Sequence, residues 1–236
     1  MLSDAPLRAI LLDVGGPIID ERPDYAFEIE GVRQILAEEL GRQVELSEVI
    51  EALQRGIVSW SPSIAKSALW HFLKPDVERT KAAYREAVAR FFGRKEDVVL
   101  MEGVREIVPI LAQKYKLALA GNQPKQTKEK LARTGLMKYF ASAAVSADIG
   151  FSKPDSRFFL EICRRLEEPV ENCCMVGDRL DNDIYPANVL GMRTIWIRIG
   201  PHATQQPRIP EDVPDATIEH MSRVPEIIEG WRKLKG

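Results

Sequence analysis

Short apolar runs rich in β-branched residues alternate along most of this chain with longer helical patterns, and this alternation constrains the fold more than any other feature. The runs that indicate strands are residues 7–14, 116–121, 142–147, 173–178 and 193–199. The patterns that indicate the intervening helices are residues 103–114, 124–134, 155–167 and 181–190. A weak strand near 216–218 and a closing helix follow. Together they predict an α/β fold, a Rossmann-like parallel sheet with helices on both faces.

Residues 21–96 interrupt this alternation, because their amphipathic helical patterns have no strand between them. The patterns cover residues 24–40, 46–58, 62–73 and 76–92. The sequence therefore predicts a core domain of residues 1–20 and 97–236 and an inserted all-helical cap domain of residues 21–96. Since the insertion follows the first strand, we expect the cap to fold over the carboxyl ends of the strands, where open α/β sheets bind ligands. Hinges are predicted near 17–22 and 94–101.

The charge balance of the chain argues against two large classes of partner. Thirty-three basic and thirty-five acidic residues among 236 give a formal net charge of −2. This balance predicts no polybasic surface for nucleic acid or an anionic membrane, so we expect a small-molecule or a protein partner. No run of about 18 apolar residues predicts a membrane-spanning helix, and acidic residues flank the first apolar run, unlike a secretion signal. We therefore expect a cytoplasmic protein.

Polar residues that carry chemistry follow four of the predicted strands. They are Asp13, Asn122, Lys153, Asp178 and Asp183. Because the carboxyl ends of parallel strands meet at one edge of a sheet, we expect these carboxylates, the amide and the ammonium group to share a cleft. Clustered carboxylates repel one another, and a divalent cation or a lysine relieves the repulsion. The oxygen-rich set suits Mg²⁺, which takes one or two carboxylates together with phosphate and water.

Four segments carry a resemblance to a known family. They are "ILLDVGGPI", "LALAGNQP", "GFSKPDSRFF" and "CCMVGDRLDNDIYPANVLGM". In their order and separation, and over nearly the whole chain, the sequence resembles the haloacid dehalogenase superfamily, in its phosphatase-like branch with a helical cap between the first and second motifs. The third and fourth segments match the family pattern closely, whereas the first and second are altered.

The resemblance implies a role for each matching residue. Asp13 would be the nucleophile that attacks phosphorus and forms an aspartyl-phosphate. Lys153 would hold Asp13 and the transferring phosphoryl group. Asp178 would bind Mg²⁺ directly, and Asp183 would hold a water of the metal or Lys153. The backbone carbonyl of Gly15 would be a further metal ligand.

Two departures from the family pattern affect catalysis and phosphate binding. Where the family's phosphatases carry a second Asp that works as general acid and base, this chain has Gly15, and such catalysis contributes about 10²- to 10⁴-fold. Gly16 matches the family's glycine, which turns tightly beside the phosphate. In the second motif, Gly121 replaces a phosphate-binding Ser or Thr, and we hypothesise that Asn122 or the Gly121 amide compensates.

Three functions fit this combination, and we favour a Mg²⁺-dependent hydrolase that acts on a small phosphorylated metabolite and is weak on ordinary phosphomonoesters. Its substrate would have a good leaving group, as an acyl phosphate does, or would supply its own acid, or the acid would come from the cap. Candidate cap residues for that acid are Glu21, Asp24, Tyr25, Arg55 and His71. The second alternative is dehalogenase or phosphonate-cleaving chemistry on Asp13, the latter with Lys66 or Lys74. The third is a non-catalytic binding or regulatory protein that retains the metal and phosphate site.

Overall fold

The chain divides into two compact units. The structure is a computed structural model that describes residues 5–92 and 97–233. One unit, the sheet unit, is Met1–Asp20 with Asp97–Gly236, and the other, the helical unit, is Glu21–Glu96. The predicted hinge near residues 94–101 lies partly outside the described residues. Over the described ranges, no helix has the length and apolar character needed to cross a membrane.

The sheet unit contains a six-stranded parallel sheet in the order β3-β2-β1-β4-β5-β6. The strands are β1 Ala9–Leu12, β2 Lys116–Gly121, β3 Phe140–Val145, β4 Cys173–Gly177, β5 Arg193–Ile197 and β6 Ala216–Ile218. This confirms the predicted α/β class. The third strand is predicted at 142–147 but ends at Val145, because the Asp148 carboxylate accepts the Val145 N–H and begins a short helix at Ser146.

Over residues 21–92, the part of the helical unit that the structure describes, there are four helices and no strand, as the amphipathic patterns predict. They are α1 Arg22–Leu40, α2 Leu46–Val58, α3 Ile64–Leu73 and α4 Val77–Phe91. Ser63 and Asp76 cap α3 and α4 by accepting backbone N–H groups three residues on. Buried apolar side chains from all four helices, among them Leu36, Leu53 and Leu69, form the core of the unit. That the unit acts as a cap stays a prediction.

Helices of the sheet unit pack on both faces of the sheet. They are α5 Val104–Ala112, α6 Gln126–Arg133, α7 Ser146–Ile149, α8 Ser156–Leu166, α9 Tyr185–Val189 and α10 Val224–Lys233. Successive residues of β1 enter different cores, Ile10 with α5 and α10 on one face and Leu11 with α8 on the other. The predicted helix 181–190 is divided, because a π-helical turn at Leu180–Ile184 precedes α9.

The strand order fixes where the chemistry-bearing residues meet. Strand β1 lies between β2 and β4, so the loops after these three strands lie side by side. Asp13 follows β1, Asn122 follows β2 and Asp178 follows β4. In a sheet of this order the connections diverge between β1 and β4, and ligands bind at the carboxyl ends there.

Candidate active site

Asp13 is a buried carboxylate held through one of its two oxygens. It follows β1 directly and is 7% exposed. Its Oδ1 accepts the backbone N–H of Val14 at 2.7 Å and pairs with Lys153 Nζ at 2.7 Å. Oδ2 receives no hydrogen bond from residues 5–92 or 97–233. One oxygen is therefore fixed, while the other is available to a reacting atom.

Lys153 bridges two carboxylates inside the sheet unit. Its side chain is 2% exposed, and Nζ lies 2.7 Å from Asp13 Oδ1 and 2.6 Å from Asp183 Oδ1. Burial alone would lower the pKa of Lys153, but the charges of Asp13 and Asp183 outweigh burial and hold its pKa above the ordinary value. The ammonium group is therefore protonated at neutral pH.

Asp183 and Asp178 come from the loop and π-helical turn that follow β4. Asp183 is fully buried, and its Oδ2 accepts the Arg179 N–H at 3.0 Å while its Oδ1 pairs with Lys153. Burial raises the pKa of Asp183, the Asp13 charge adds to the rise, and Lys153 opposes it. Asp178 is 7% exposed, and its backbone carbonyl accepts the indole N–H of Trp196 at 2.8 Å.

These three carboxylates fit a divalent cation. One oxygen each from Asp13, Asp178 and Asp183 lies within 4.8 Å of the other two. Three carboxylates and one ammonium group carry a formal charge of −2, which a single divalent ion would balance. Because hard cations such as Mg²⁺ bind oxygen ligands, the donor set suits that ion class.

Glycines at two positions let the carboxylates approach. Gly16 has φ +80°, and a Cβ there would lie 3.0 Å from Asp178 Cγ. A Cβ at Gly177 would lie 2.3 Å from Asp183 Cγ, closer than real Cβ contacts come. Gly15, in the same turn as Gly16, brings no carboxylate to the cluster. Glycine at residue 16 therefore lets the turn pack closely against Asp178, and residue 15 contributes no carboxylate there.

The end of β2 carries the two residues that the sequence predicts at phosphate, Gly121 and Asn122, and that role stays a prediction. A Cβ at Gly121 would lie 2.6 Å from Val14 Cγ2, so Val14 fills the space of a side chain there. The Asn122 amide pairs with the backbone of Lys153: Nδ2 donates to the carbonyl at 2.9 Å and Oδ1 accepts the N–H at 2.8 Å. The polar side chain predicted for phosphate is thus engaged with Lys153.

A buried polar network beside Asp178 has no counterpart in the sequence prediction. Arg179 pairs with Asp181 at 2.5 Å, and Gln205 donates to Asp181 and accepts the Leu180 N–H. His202 is 7% exposed, and its Nδ1 has no hydrogen-bond partner within the described ranges. Burial, aided by the charge of Arg179, lowers the pKa of His202 to about 4. Gln205 and His202 lie in a proline-rich loop, whose composition does not indicate burial.

Comparisons with known proteins identify relatives over most of the chain. The sequence model of the haloacid dehalogenase-like hydrolases matches residues 7–191. Over 135 residues the chain is 38% identical to the glyceraldehyde 3-phosphate phosphatase of Methanopyrus kandleri, covering 55% of this chain and 56% of that protein, so the match spans about half of that relative. The phosphoserine phosphatase of Thermus thermophilus is 26% identical over 92% of this chain and 98% of its own length. A solved 2-haloacid dehalogenase from Pseudomonas syringae pv. Tomato DC3000 is 26% identical with a TM-score of 0.59, covering 95% and 99% of the two chains.

Proposed function

This chain belongs to the haloacid dehalogenase-like hydrolases, and we propose that it is a phosphohydrolase that removes phosphate from a small phosphorylated metabolite through Asp13. The observation that carries the proposal is the state of Asp13, with Oδ1 held by Lys153 and Val14 and Oδ2 available for attack. The phosphatase relatives support this reaction class, and the substrates in their names, glyceraldehyde 3-phosphate and phosphoserine, are small monoesters.

The proposed reaction has two steps. Asp13 Oδ2 forms a bond to phosphorus as the bond from phosphorus to the leaving oxygen breaks, and that oxygen takes a proton from water or from the substrate. Water then attacks phosphorus, the bond to Asp13 breaks, and phosphate and a proton are released. Lys153 holds Asp13 Oδ1 and places a fixed positive charge beside the transferring group.

The carboxylate cluster is the proposed site of a divalent cation, Mg²⁺ in our proposal. Asp13, Asp178 and the Gly15 carbonyl would hold it directly, and Asp183 would act through Lys153 or a metal-bound water. When bound, such an ion offsets the negative charge of a phosphoryl group. Removing divalent metal with a chelator should therefore abolish phosphate release, and added Mg²⁺ should restore it.

Gly15 limits the substrates that the proposed enzyme can use. Since no carboxylate at residue 15 protonates the leaving oxygen, substrates with good leaving groups, such as acyl phosphates, should react faster than alkyl monoesters. Gly15→Asp should raise activity on monoesters by up to about 10²- to 10⁴-fold. An unchanged rate in a folded Gly15→Asp variant would contradict the idea of a missing acid.

We assign selection of the leaving group to the helical unit, residues 21–96, as a cap. Support comes from the point of insertion, because the chain enters this unit directly after the turn that follows Asp13. The sheet unit's cluster, in contrast, consists of groups suited to phosphate and metal alone. Exchanging residues 21–96 for the corresponding segment of a relative should change the preferred substrate while phosphate release still requires Asp13.

The test of the function is phosphate release with Mg²⁺ over a panel of acyl phosphates, the two monoesters named above, phosphonates and 2-haloacids. Asp13→Asn should abolish release, and Asp97→Asn, at the surface ion pair with Arg133, should not. Halide release from a 2-haloacid would favour the dehalogenase alternative instead. If no substrate reacts but calorimetry detects binding of Mg²⁺ and inorganic phosphate, the non-catalytic alternative replaces our proposal.

A further inference from the structure

We propose that Asn122 is a positioning residue for Lys153 and not a phosphate ligand: its side-chain amide holds the backbone of the lysine and thereby sets where Nζ stands. The proposal rests on the proposed function for its kinetic consequence. Its structural part stands independently on the contacts of Asn122.

The Asn122 amide meets the backbone of Lys153 with both of its polar atoms. Nδ2 donates to the Lys153 carbonyl at 2.9 Å, and Oδ1 accepts the Lys153 N–H at 2.8 Å. The two hydrogen bonds together resemble the pair that two opposite residues exchange in an antiparallel sheet. They join residues that are 31 apart in sequence. A side-chain amide carries a donor and an acceptor on separate atoms, so it can donate to a carbonyl and accept from an N–H at once.

This contact matters because Lys153 lies outside the strands and helices. It stands in the connection between α7, which ends at Ile149, and α8, which begins at Ser156. Phe151 and Ser152 before it are exposed, whereas Lys153 is 4% exposed. A lysine side chain has a flexible four-carbon stem, so a fixed backbone is needed to bring Nζ to the two carboxylates.

The residue before Asn122 supports the same assignment. Gly121 has no side chain, and Val14 Cγ2 would lie 2.6 Å from a Cβ there. The end of β2 therefore offers the proposed phosphate site no side chain from residue 121 and turns the polar side chain of residue 122 toward Lys153. The segment after β2 therefore contributes to the site by holding the backbone of Lys153 through Asn122.

Two variants test the contact, with one matched control. Asn122→Ala removes both hydrogen bonds, and Asn122→Asp keeps the acceptor for the Lys153 N–H but places an oxygen against the Lys153 carbonyl. Asn188→Ala is the control, because Asn188 also makes side-chain hydrogen bonds to two backbone carbonyls, those of Glu211 and Val213, and has no bond to Lys153. General destabilisation would affect the control as much as the variants.

The first measurement does not depend on activity. Lysine acetylation by a small reagent, read by peptide mass spectrometry, reports access to Nζ, which belongs to a side chain that is 2% exposed. We expect Lys153 to be protected in the wild type and in Asn188→Ala and to be labelled in both Asn122 variants. Protection of Lys153 in folded Asn122→Ala would overturn the proposal, whether or not the wild type is a phosphatase.

The second measurement separates positioning from phosphate binding. With the best substrate of the panel, Asn122→Ala and Asn122→Asp should lower kcat by about 10- to 100-fold. KM and the inhibition constant of inorganic phosphate should change little. A rise in both constants with kcat unchanged would identify Asn122 as a phosphate ligand. If the wild type turns over no substrate, the proposed function fails, and the labelling result alone decides the role of Asn122.

Discussion

The sheet unit buries charged side chains around Lys153, whereas the ion pairs described in the helical unit lie at the surface. The side chains of Asp13, Lys153 and Asp183 are 10%, 2% and 0% exposed. In the helical unit, Arg90 and Glu38 pair while 36% and 56% of their side chains remain exposed. Both arrangements are ion pairs, but solvent screens the second and hardly reaches the first.

This difference shows which unit gives up stability for chemistry. Taking charges out of water costs several kcal/mol per ion, so a buried pair contributes little net stability although losing one partner is costly. Surface pairs cost little to form and little to lose. The sheet unit thus retains an arrangement that a purely structural core would replace with apolar side chains, and the helical unit does not.

The largest effect that would sharpen this comparison is expected from Lys153→Met. It leaves two buried carboxylates without their counter-charge, so we expect about 3–5 kcal/mol of lost stability in the absence of divalent metal. Hydrogen exchange of peptides from β1 in a chelator would measure it. Arg90→Met is the control in the helical unit and should leave the exchange of α1 and α4 nearly unchanged. Equal losses of stability in Lys153→Met and Arg90→Met would contradict the difference between the buried charges of the sheet unit and the surface ion pairs of the helical unit.

The next effect is a loss of stability in the sheet unit on acidification. Burial lowers the pKa of His202 to about 4, whereas a histidine in an unfolded chain titrates near 6.5. As pH falls below 6.5, His202 therefore binds a proton in the unfolded state before it does so in the folded state. The sheet unit consequently loses stability between pH 6.5 and about pH 4. The pKa difference limits this loss to about 3 kcal/mol.

His202→Phe tests this prediction because it keeps a planar ring and removes the titration. Thermal unfolding of the sheet unit at pH 7 and pH 4.5 should show a smaller difference for His202→Phe than for the wild type. His220→Phe, which changes a histidine bonded to Ser222, is the control and should keep the wild-type difference. If His202→Phe shows the same difference between pH 7 and pH 4.5 as the wild type, groups other than His202 cause the acid sensitivity.

A smaller loss of stability is expected from Gly177→Ala, which adds a methyl group beside the buried carboxylate of Asp183. A Cβ at Gly177 would lie 2.3 Å from Asp183 Cγ, and Gly177→Ala should cost about 1–3 kcal/mol through overpacking. Because Asp183 holds Lys153, we also expect a loss of activity of about 100-fold.

Gly31→Ala is the matched change in the helical unit. A Cβ there would lie 2.3 Å from Phe91 Cγ, an apolar and only partly buried partner. The variant should lower stability but leave the charges around Lys153 in place. Full activity in Gly177→Ala, measured beside Gly31→Ala, would show that the position of Asp183 is not critical.

The sequence is sufficient for most of the sheet because its inner strands are buried on both faces. Runs such as Ala9–Leu12 are apolar throughout, which predicts interior parallel strands without knowledge of their partners. Strand β3 was misplaced by two residues because it lies at the edge of the sheet and is partly exposed. Its apolar pattern is therefore weaker, and a carboxylate three residues beyond it sets its end.

For the candidate site, the position of a residue at the end of a strand predicts which residues meet. It does not predict which hydrogen-bond partners their side chains have. Convergence of strand ends predicts that Asp13, Lys153 and Asp178 meet, as they do in the structure. The partner of Asn122 was not predictable, since an amide can bind phosphate or a peptide group equally well. The sequence likewise does not predict that Trp196 donates to the Asp178 carbonyl, because a tryptophan in an apolar strand indicates only burial.

The smallest effect is expected from Glu28 of the helical unit, because this side chain is only partly buried and solvent screens its charge, and its response to pH has the opposite sign. Burial and the charges of Glu21 and Asp24 raise the pKa of Glu28 from 4.5 to about 7. Between these values the unfolded state has released the proton that the folded state still holds. Stability present below pH 4.5 is therefore lost as pH rises through 7.

Glu28→Gln removes this titration, so it should raise the melting temperature of the helical unit at pH 8 and leave it nearly unchanged at pH 4. Glu38→Gln is the control with the contrary sign, because a hydrogen bond from Arg90 lowers the pKa of Glu38 and the ionised form is the favoured one. It should lower the melting temperature slightly at pH 8. If the two glutamine variants shift in the same direction, the helical unit does not distinguish buried from exposed charge, and the contrast with the sheet unit fails.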